Sequence, residues 1–578
     1  THHLAALAFR VAALLWLLIV PKIHPVTERL SVVGVSLVEI LALGLFWSER
    51  LATGLDTWAT AALSVALLWT ATRMDEAPLE HTLDGVTLAA TAHALWALGQ
   101  WCVGTGRPSA GFFNPNYLAA WLVLAIAWCA VRGGRSRLAL VPVLALAVLA
   151  SASRSALLAL LVLGVLACAR RSWKWALVFA TATPIVALLV PSVRARIVGV
   201  GDAFAFDRMQ IWSSAWRAGL RAPWGWGLGD ASIAFRQVGV PLEHGWVRFP
   251  KTAYHAHNEV LQLWVELGLL GVVALLLAAI LAASMLQGRQ ESRWNTGMVL
   301  AAITVPMLLS ASLRVPVIAA SAALMLGARA RHVPLPTGFS RPWVAHASVA
   351  LAAAAVLVTL PASAGRVFSE FAAGARAEGR LADAQSWSYT ASTVAPFSVS
   401  AQLLRASVRF AATKDTEHAL AELLDLSERF PGAPEPPERA ERLLKTVPDN
   451  EARRALAVEL AAIRTAREPN NALRWVTLAL AHETNGDARL ALESLERAIA
   501  LEPNCASALA FLALASPPKS QTQLDYARRA LRAASRAKHH HAHSAEVLRL
   551  SDRLHAEMRT LLGSPLDSPI RPLKWGMR

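Results

Sequence analysis

Cysteine is scarce, with four in 578 residues. Cys102, Cys129 and Cys168 lie in or beside apolar runs and Cys505 lies far toward the C-terminus. They share no paired spacing, so neither a disulfide framework nor a zinc site is indicated. Charge is scarce too: 17% of residues, against 55% hydrophobic ones and a mean hydropathy of +0.40. No soluble domain of ordinary size is that apolar. Acids are fewer than bases, 40 against 56, for a net charge of +16. The excess sits in loops between apolar runs and in the C-terminal third, which fits membrane topology and anionic lipid better than nucleic acid. The first apolar run, about 4–20, has no small-residue cleavage site after it and reads as a retained helix rather than a signal peptide. The chain starts at Thr1 without Met, so a few further N-terminal residues are expected.

What the sequence has is apolar length. Its runs cover about 16 to 29 residues, enough for a helix to cross a hydrocarbon core of roughly 30 Å. Candidate spans are about 4–20, 30–47, 55–72, 82–103, 115–131, 137–152, 154–169, 173–191, 258–286, 294–312, 313–328 and 343–362. The short pairs meeting near 152–154 and 312–313 are the least sharply divided. One set of alternate loops holds fourteen Lys and Arg; the opposite set holds only Arg50, Arg107, Arg154 and Arg314. The first set is therefore expected in the cytoplasm. The long basic loop 192–256 and everything after 362 then face outward.

After about 363 the composition turns to Ala, Arg, Glu and Leu with helical periodicity. Gly486, Ala491, Ala498 and Pro503 repeat the spacing of Gly379, Ala384, Ala391 and Pro396, and Pro469-Asn470 lies 34 residues before Pro503-Asn504. With Trp475 and Leu478, the unit 472–505 resembles a tetratricopeptide repeat, in which small residues let paired helices approach, Gly makes the turn and Pro ends the second helix. The expected fold class is all-α: a polytopic bundle over 1–362, a repeat solenoid over 363–535, and a basic, partly disordered tail over 536–578. The His539–His541 run reads as solvated surface.

Four patches carry chemistry on the outward side. They are Arg107 with GFFNPNYLAAW (111–121), SASRSALLAL (151–160), DRMQIWSSAWRAGLRAPWGWGLGD (207–230) and HNEVLQLWVELGLLG (257–271). The loop tryptophans read as interfacial anchors. Glu39 and His93, ionisable and intramembrane, read equally as packing partners or functional groups, and Glu266 is expected to pair internally.

Together the patches resemble the O-antigen ligase and polymerase family of membrane glycosyltransferases. The likeness runs through G-F-x-N-P-N before a span, S-R-S-A opening a span, an R-x-x-x-W helix, a P-x-G-x-G-x-G turn and H-N-x-x-L-Q-x-x-x-E-x-G-x-x-G, over roughly 100–330. A tetratricopeptide tail also occurs in some members. The count of eight spans before the long loop and four after departs from the family pattern. The resemblance implies transfer of a glycan from undecaprenyl diphosphate to an acceptor hydroxyl on the outer face of the inner membrane, with inversion.

The residues suit that chemistry. A lipid diphosphate leaving group needs charge stabilisation more than a proton, and arginine's fork grips phosphate oxygens in pairs. Arg154 and Arg208 are the first choices, with Arg107, Arg221 and Arg314 next. A near-neutral histidine takes the acceptor proton. His257 is that candidate base, oriented by Asn258 or Glu259; His255 is read as a bystander. Asn114 and Asn116 are candidate substrate ligands. No Asp-x-Asp lies in an outward loop, so no catalytic metal is expected, and no cofactor is implied. The acceptor is a lipid, a protein or a glycan, and the repeats offer a surface for a protein partner. Two other classes compete: a transporter or flippase of lipid-linked sugars using Glu39 and His93, and a repeat scaffold for envelope assembly. Ionisable groups near the midplane would mark a transporter; here most cluster at one face.

Overall fold

The computed structural model describes residues 10–13, 28–104, 106–189, 208–239, 253–286, 290–330 and 343–540, with isolated positions beyond them. Among these every regular element is a helix and no strand occurs. Nearly all of the expected span at 4–20, much of the loop 192–256 and most of the tail after 540 fall outside the described residues.

The first group is α1 (Glu28–Leu43), α2 (Leu51–Arg73), α3 (Glu76–Cys102), α4 (Pro115–Arg132), α5 (Val141–Ser151), α6 (Arg154–Ala169) and α7 (Trp173–Leu189). Two helices follow in the long loop, α8 (Arg208–Arg221) and α9 (Ala231–Val238). Then come α10 (Glu259–Leu267), α11 (Leu269–Met285), α12 (Gln290–Leu309), α13 (Pro316–Ala330) and α14 (Trp343–Ala377). Helix α4 is apolar all round and is buried accordingly, from Tyr117 to Cys129 without a break. Its two indole N–H groups find acceptors, Trp121 on Ser321 Oγ at 3.0 Å and Trp128 on Asp84 Oδ1 at 3.0 Å.

By length and composition three described helices suffice to cross a membrane: Leu51–Arg73, Pro115–Arg132 and Val349–Ala377. Val33–Leu43, Arg154–Ala169, Leu269–Met285 and Pro316–Ala330 are apolar but shorter. The expected count of twelve spans is therefore not established. The junctions near 152–154 and 312–313 do separate helices, through Ala152 in the left-handed region (φ 48°) and a 3₁₀ turn at Ser312–Arg314. The single span expected at 258–286 is instead two helices, broken at Gly268 with φ 55°.

Helix α14 runs straight through residue 362, so the boundary expected there falls inside a helix. Beyond it lie α15 (Leu381–Val394), α16 (Val399–Thr413), α17 (Thr416–Arg429), α18 (Glu435–Leu444), α19 (Glu451–Arg467), α20 (Ala472–Asn485), α21 (Ala488–Leu501), α22 (Ala506–Ala515) and α23 (Gln521–His540). Each packs on the next, the one-dimensional order of a repeat array. Gly379 (φ 78°) and Gly486 (φ 92°) make equivalent left-handed turns, while Ala384, Ala391, Ala491 and Ala498 are buried between paired helices.

Candidate active site

The site is built around the entry to α10. Asn258 caps that helix, its Oδ1 accepting from the backbone N–H of Val260 at 2.9 Å and Leu261 at 3.1 Å. His257, one residue earlier, has φ 51°, a conformation that costs a non-glycine residue about 1 kcal/mol or more. Neighbours hold it there. The Ala256 N–H donates to Gln262 Oε1 at 2.7 Å, and the Ala256 carbonyl accepts from Trp212 Nε1 at 3.0 Å. Trp212 stands on α8, one turn after Arg208, so the helix that carries the arginine also pins the histidine turn. Burial, and then the Arg208 charge, lower the His257 pKa below its ordinary value. His257 is thus neutral at pH 7, with a lone pair available for a proton. His255 is driven further, to about 3, first by burial and then by Arg314, His257 and Arg50. Its Nδ1 is buried without a hydrogen-bond partner among the described residues.

Glu259, Gln262 and Glu266 form one stripe of α10. Arg314 inserts beside it, NH2 to Glu266 Oε2 at 2.8 Å and Nε to Glu259 Oε2 at 3.4 Å, with NH1 at 3.4 Å from Thr57 Oγ1. Gln262 Nε2 completes the stripe by donating to Glu266 Oε1 at 2.7 Å. Apart from Thr57, these side chains are nearly buried. The internal partner expected for Glu266 is therefore Arg314. Arg314 and Glu259 answer one another here, which changes their expected parts: Arg314 is neutralised by two carboxylates, and Glu259 points its charge at Arg314.

The Pro/Gly/Trp turn explains the break at Gly268. The N–H groups of Trp226, Gly227 and Leu269 donate to the carbonyls of Val265, Glu266 and Pro223 at 2.8–3.0 Å. A Cβ on Gly268 would sit 1.9 Å from the Pro223 carbonyl oxygen, and one on Gly225 2.2 Å from that of Glu266. Two glycine motifs 40 residues apart in sequence thus exist for one backbone-to-backbone contact. Just after the turn, Asp230 accepts from the N–H groups of Glu49 at 2.6 Å and Arg50 at 3.0 Å. Burial raises its pKa to about 7, against the pull of those two N–H groups.

Arg107 draws the first two patches together. Its Nε donates to the Ser151 carbonyl at 2.8 Å and its NH2 to Asn116 Oδ1 at 2.9 Å. Asn114 caps α4 by accepting from the Asn116 N–H at 2.9 Å. Ser151, Ser153 and Ser155 are buried, whereas Arg154 is exposed at the start of α6. Tyr117, next to Asn116, lies in the field of Glu259 and Arg314, and α4 packs against the Ser312–Arg314 turn. The first, second and fourth patches therefore meet through Arg107, Tyr117 and Arg314, and the third joins through Trp212 and Arg208. Arg221 stands apart from these contacts, exposed, with NH1 3.3 Å from the Gln237 carbonyl.

Gln237 belongs to a seam with the repeats. It donates to the Ala466 carbonyl at 3.1 Å and accepts from Asn470 at 2.6 Å, and buried Arg236 donates to the Gly432 carbonyl at 3.0 Å. Gln262, Asp230 and Tyr117 lie inside the four patches but carry no role legible from the sequence, and neither does this seam. Gln262 comes nearest, because its place between Glu259 and Glu266 makes a helical stripe.

Comparison with known proteins bears on the same stretch. No curated protein matches this chain. Solved structures that match part of the chain include "Crystal structure of MamA protein", 15% identical, covering 31% of this chain and 96% of that chain with a TM-score of 0.25. Another is "MamA 41-end from Desulfovibrio magneticus RS-1", 13% identical, covering 35% and 97% with a TM-score of 0.21. At such TM-scores they carry no argument. Residues 138–276 match the family model described as O-antigen ligase. That range holds four of the five motifs; Arg107, Asn114, Asn116 and Arg314 lie outside it. Over residues 138–276 the chain thus carries the signature of the O-antigen ligase family, which supports glycan transfer at a membrane as its coarse activity.

Proposed function

We propose that this protein transfers a glycan from undecaprenyl diphosphate to an acceptor hydroxyl at the periplasmic face of a bacterial inner membrane. The membrane part, 1–362, is the enzyme; the loop 192–256 completes its site, and the repeats of 363–535 stand in the periplasm. His257 takes the acceptor proton as the oxygen attacks the anomeric carbon, and the configuration inverts. Arg208 and Arg154 neutralise the charge that grows on the diphosphate as it leaves. Arg107, held by Ser151 and Asn116, positions the Arg154 loop. Asn258 fixes the turn that aims His257. Arg314 acts through Glu259 and Glu266 as the brace of α10. Arg221, Asn114, Asn116 and Glu259 are assigned to holding the site's walls rather than to the phosphate. No metal takes part.

The observation that carries this reading is His257, neutral and held in a left-handed turn beside Arg208. His257→Ala is expected to abolish glycan transfer while the protein still inserts in the membrane. Transfer at the wild-type rate would remove His257 from its role. Arg208→Glu and Arg154→Glu are expected to stop use of the diphosphate donor, and normal turnover in both would end the clamp assignment. Mass spectrometry of envelope glycoconjugates with and without the gene identifies the acceptor.

A further inference from the structure

Helices α2 and α14 pack against one another and leave a cavity of about 140 Å³ near the ends that the charge bias turns outward. Its polar walls are Thr53 and Asp56 of α2 and Thr359, Ser363 and Arg366 of α14. Asp56 is answered inside the protein: Arg10 NH2 donates to its Oδ1 at 2.8 Å. Thr359 donates to the Ala355 carbonyl at 2.7 Å and keeps its lone pairs. Arg366 is half-buried and, among the described residues, makes no hydrogen bond and no ion pair. A guanidinium partly withdrawn from water at a membrane edge is costly unless an anion meets it. The fork of Arg366 fits two oxygens of a phosphate, and neighbouring hydroxyls supply further donors.

We propose that this cavity binds the phosphate of a membrane-lipid headgroup, with Arg366 as the cation and the Thr53 and Ser363 hydroxyls as secondary donors. The acyl chains would lie along the outer faces of α2 and α14, where Leu357 and Leu360 are exposed. The proposal is independent of the transfer reading, because none of these residues is assigned a part in it.

The test uses the purified full chain in detergent. Binding of dihexanoyl phosphatidylglycerol and of inorganic phosphate is measured by titration calorimetry, for wild type, Arg366→Lys, Arg366→Gln and Ala362→Trp. Ala362 lines the cavity, and a tryptophan there fills it without removing charge. Wild type and Arg366→Lys are expected to bind the short-chain lipid. Arg366→Gln is expected to bind about tenfold more weakly, the loss of a charge-assisted contact, and Ala362→Trp not measurably. Lipid binding that inorganic phosphate does not displace supports the headgroup. Displacement by millimolar inorganic phosphate alone, or Arg366-dependent binding of inorganic phosphate without the lipid, overturns the lipid source. Wild-type affinity in Ala362→Trp, or in a folded Arg366→Gln, overturns the site. Should Arg366→Gln fail to elute as a folded species, Ala362→Trp decides.

Discussion

Helix α4 in the membrane part and the pair α20–α21 in the repeats are buried by opposite rules. Helix α4 is apolar on every side, so its sequence period does not say which face meets which neighbour. The repeat helices keep one apolar stripe, and buried Ala479, Ala491 and Ala498 mark where the pair closes. Charge follows the same division. Arg314 is nearly buried against two carboxylates, whereas Arg489 and Glu493 pair at 2.7 Å in full view of solvent. In the membrane part a few polar groups specify the arrangement; in the repeats the periodic small residues do most of it, although Arg474 and Glu468 form a buried pair at 2.8 Å there too.

The largest expected effect therefore comes from Arg314→Ala. It leaves Glu259 and Glu266 buried without their cation, a loss of about 3–5 kcal/mol. The thermal unfolding midpoint in detergent should fall by many degrees. Arg489→Ala in the repeats should fall within measurement error of wild type, since exposed pairs contribute below about 1 kcal/mol. Equal effects from the two would dissolve the contrast.

Gly268→Ala comes next. The added methyl meets the Pro223 carbonyl and the left-handed backbone disfavours it, together about 2–4 kcal/mol. A shift of that size with loss of transfer is the expected outcome, since α10 carries the His257 turn. Wild-type stability would mean that the turn 223–229 does not seat where it is described.

These contacts also show what was readable beforehand. Helix class, the short helix from Arg208 to Arg221 and the repeat turn at Gly379 and Gly486 followed from spacing alone. The P-x-G-x-G-x-G and H-N motifs were visible as strings, but not that they touch, because backbone contacts across 40 residues leave no periodicity. The fate of Arg314 was hidden for a related reason. A loop arginine at a span end reads as free until its partners are found, and Glu259 and Glu266 sit on a segment that looked like one uninterrupted span. A lone aspartate after a glycine turn resembles any cap residue, so the sequence marks no role for Asp230. The seam of Arg236 and Gln237 with Gly432, Ala466 and Asn470 needed the tertiary fold. That seam also complicates truncation: deleting 363–578 would cut α14 in the middle and strip α9 of its contacts with the repeats, leaving those with α8 and α10.

Asp230 gives an effect with a definite sign. Its carboxyl titrates near 7 in the folded protein, above the ordinary value of 3.8, because of burial. Between those values the folded state holds a proton that the unfolded chain has released. Its contribution to stability is thus complete below about pH 4 and declines as the pH rises toward 7, then levels off. Buried His255, lowered to about 3, contributes with the opposite sign over much of the same range, so the Asp230 effect is read as the difference between Asp230→Asn and wild type. Unfolding midpoints measured from pH 4.5 to 8 should show the variant gaining on wild type as the pH rises toward 7, and a difference that does not change with pH would remove Asp230 from that role.

The smallest effects test the repeats, where one backbone conformation is filled by different residues. Gly486 (φ 92°) ends α20 and Lys414 (φ 58°) ends α16, both left-handed. Gly486→Ala brings a Cβ into open space, so packing is unchanged and only the backbone preference acts. It should destabilise by about 1 kcal/mol, and Lys414→Gly should stabilise by a similar or smaller amount. Both belong in chemical unfolding of the full chain, followed at helical ellipticity. Opposite signs at the two turns would mean that the repeat array is set by local conformation, helix by helix. Equal signs would mean instead that each turn is imposed by its neighbours, as Gly268 is in the membrane part, and that the two regions are built alike after all.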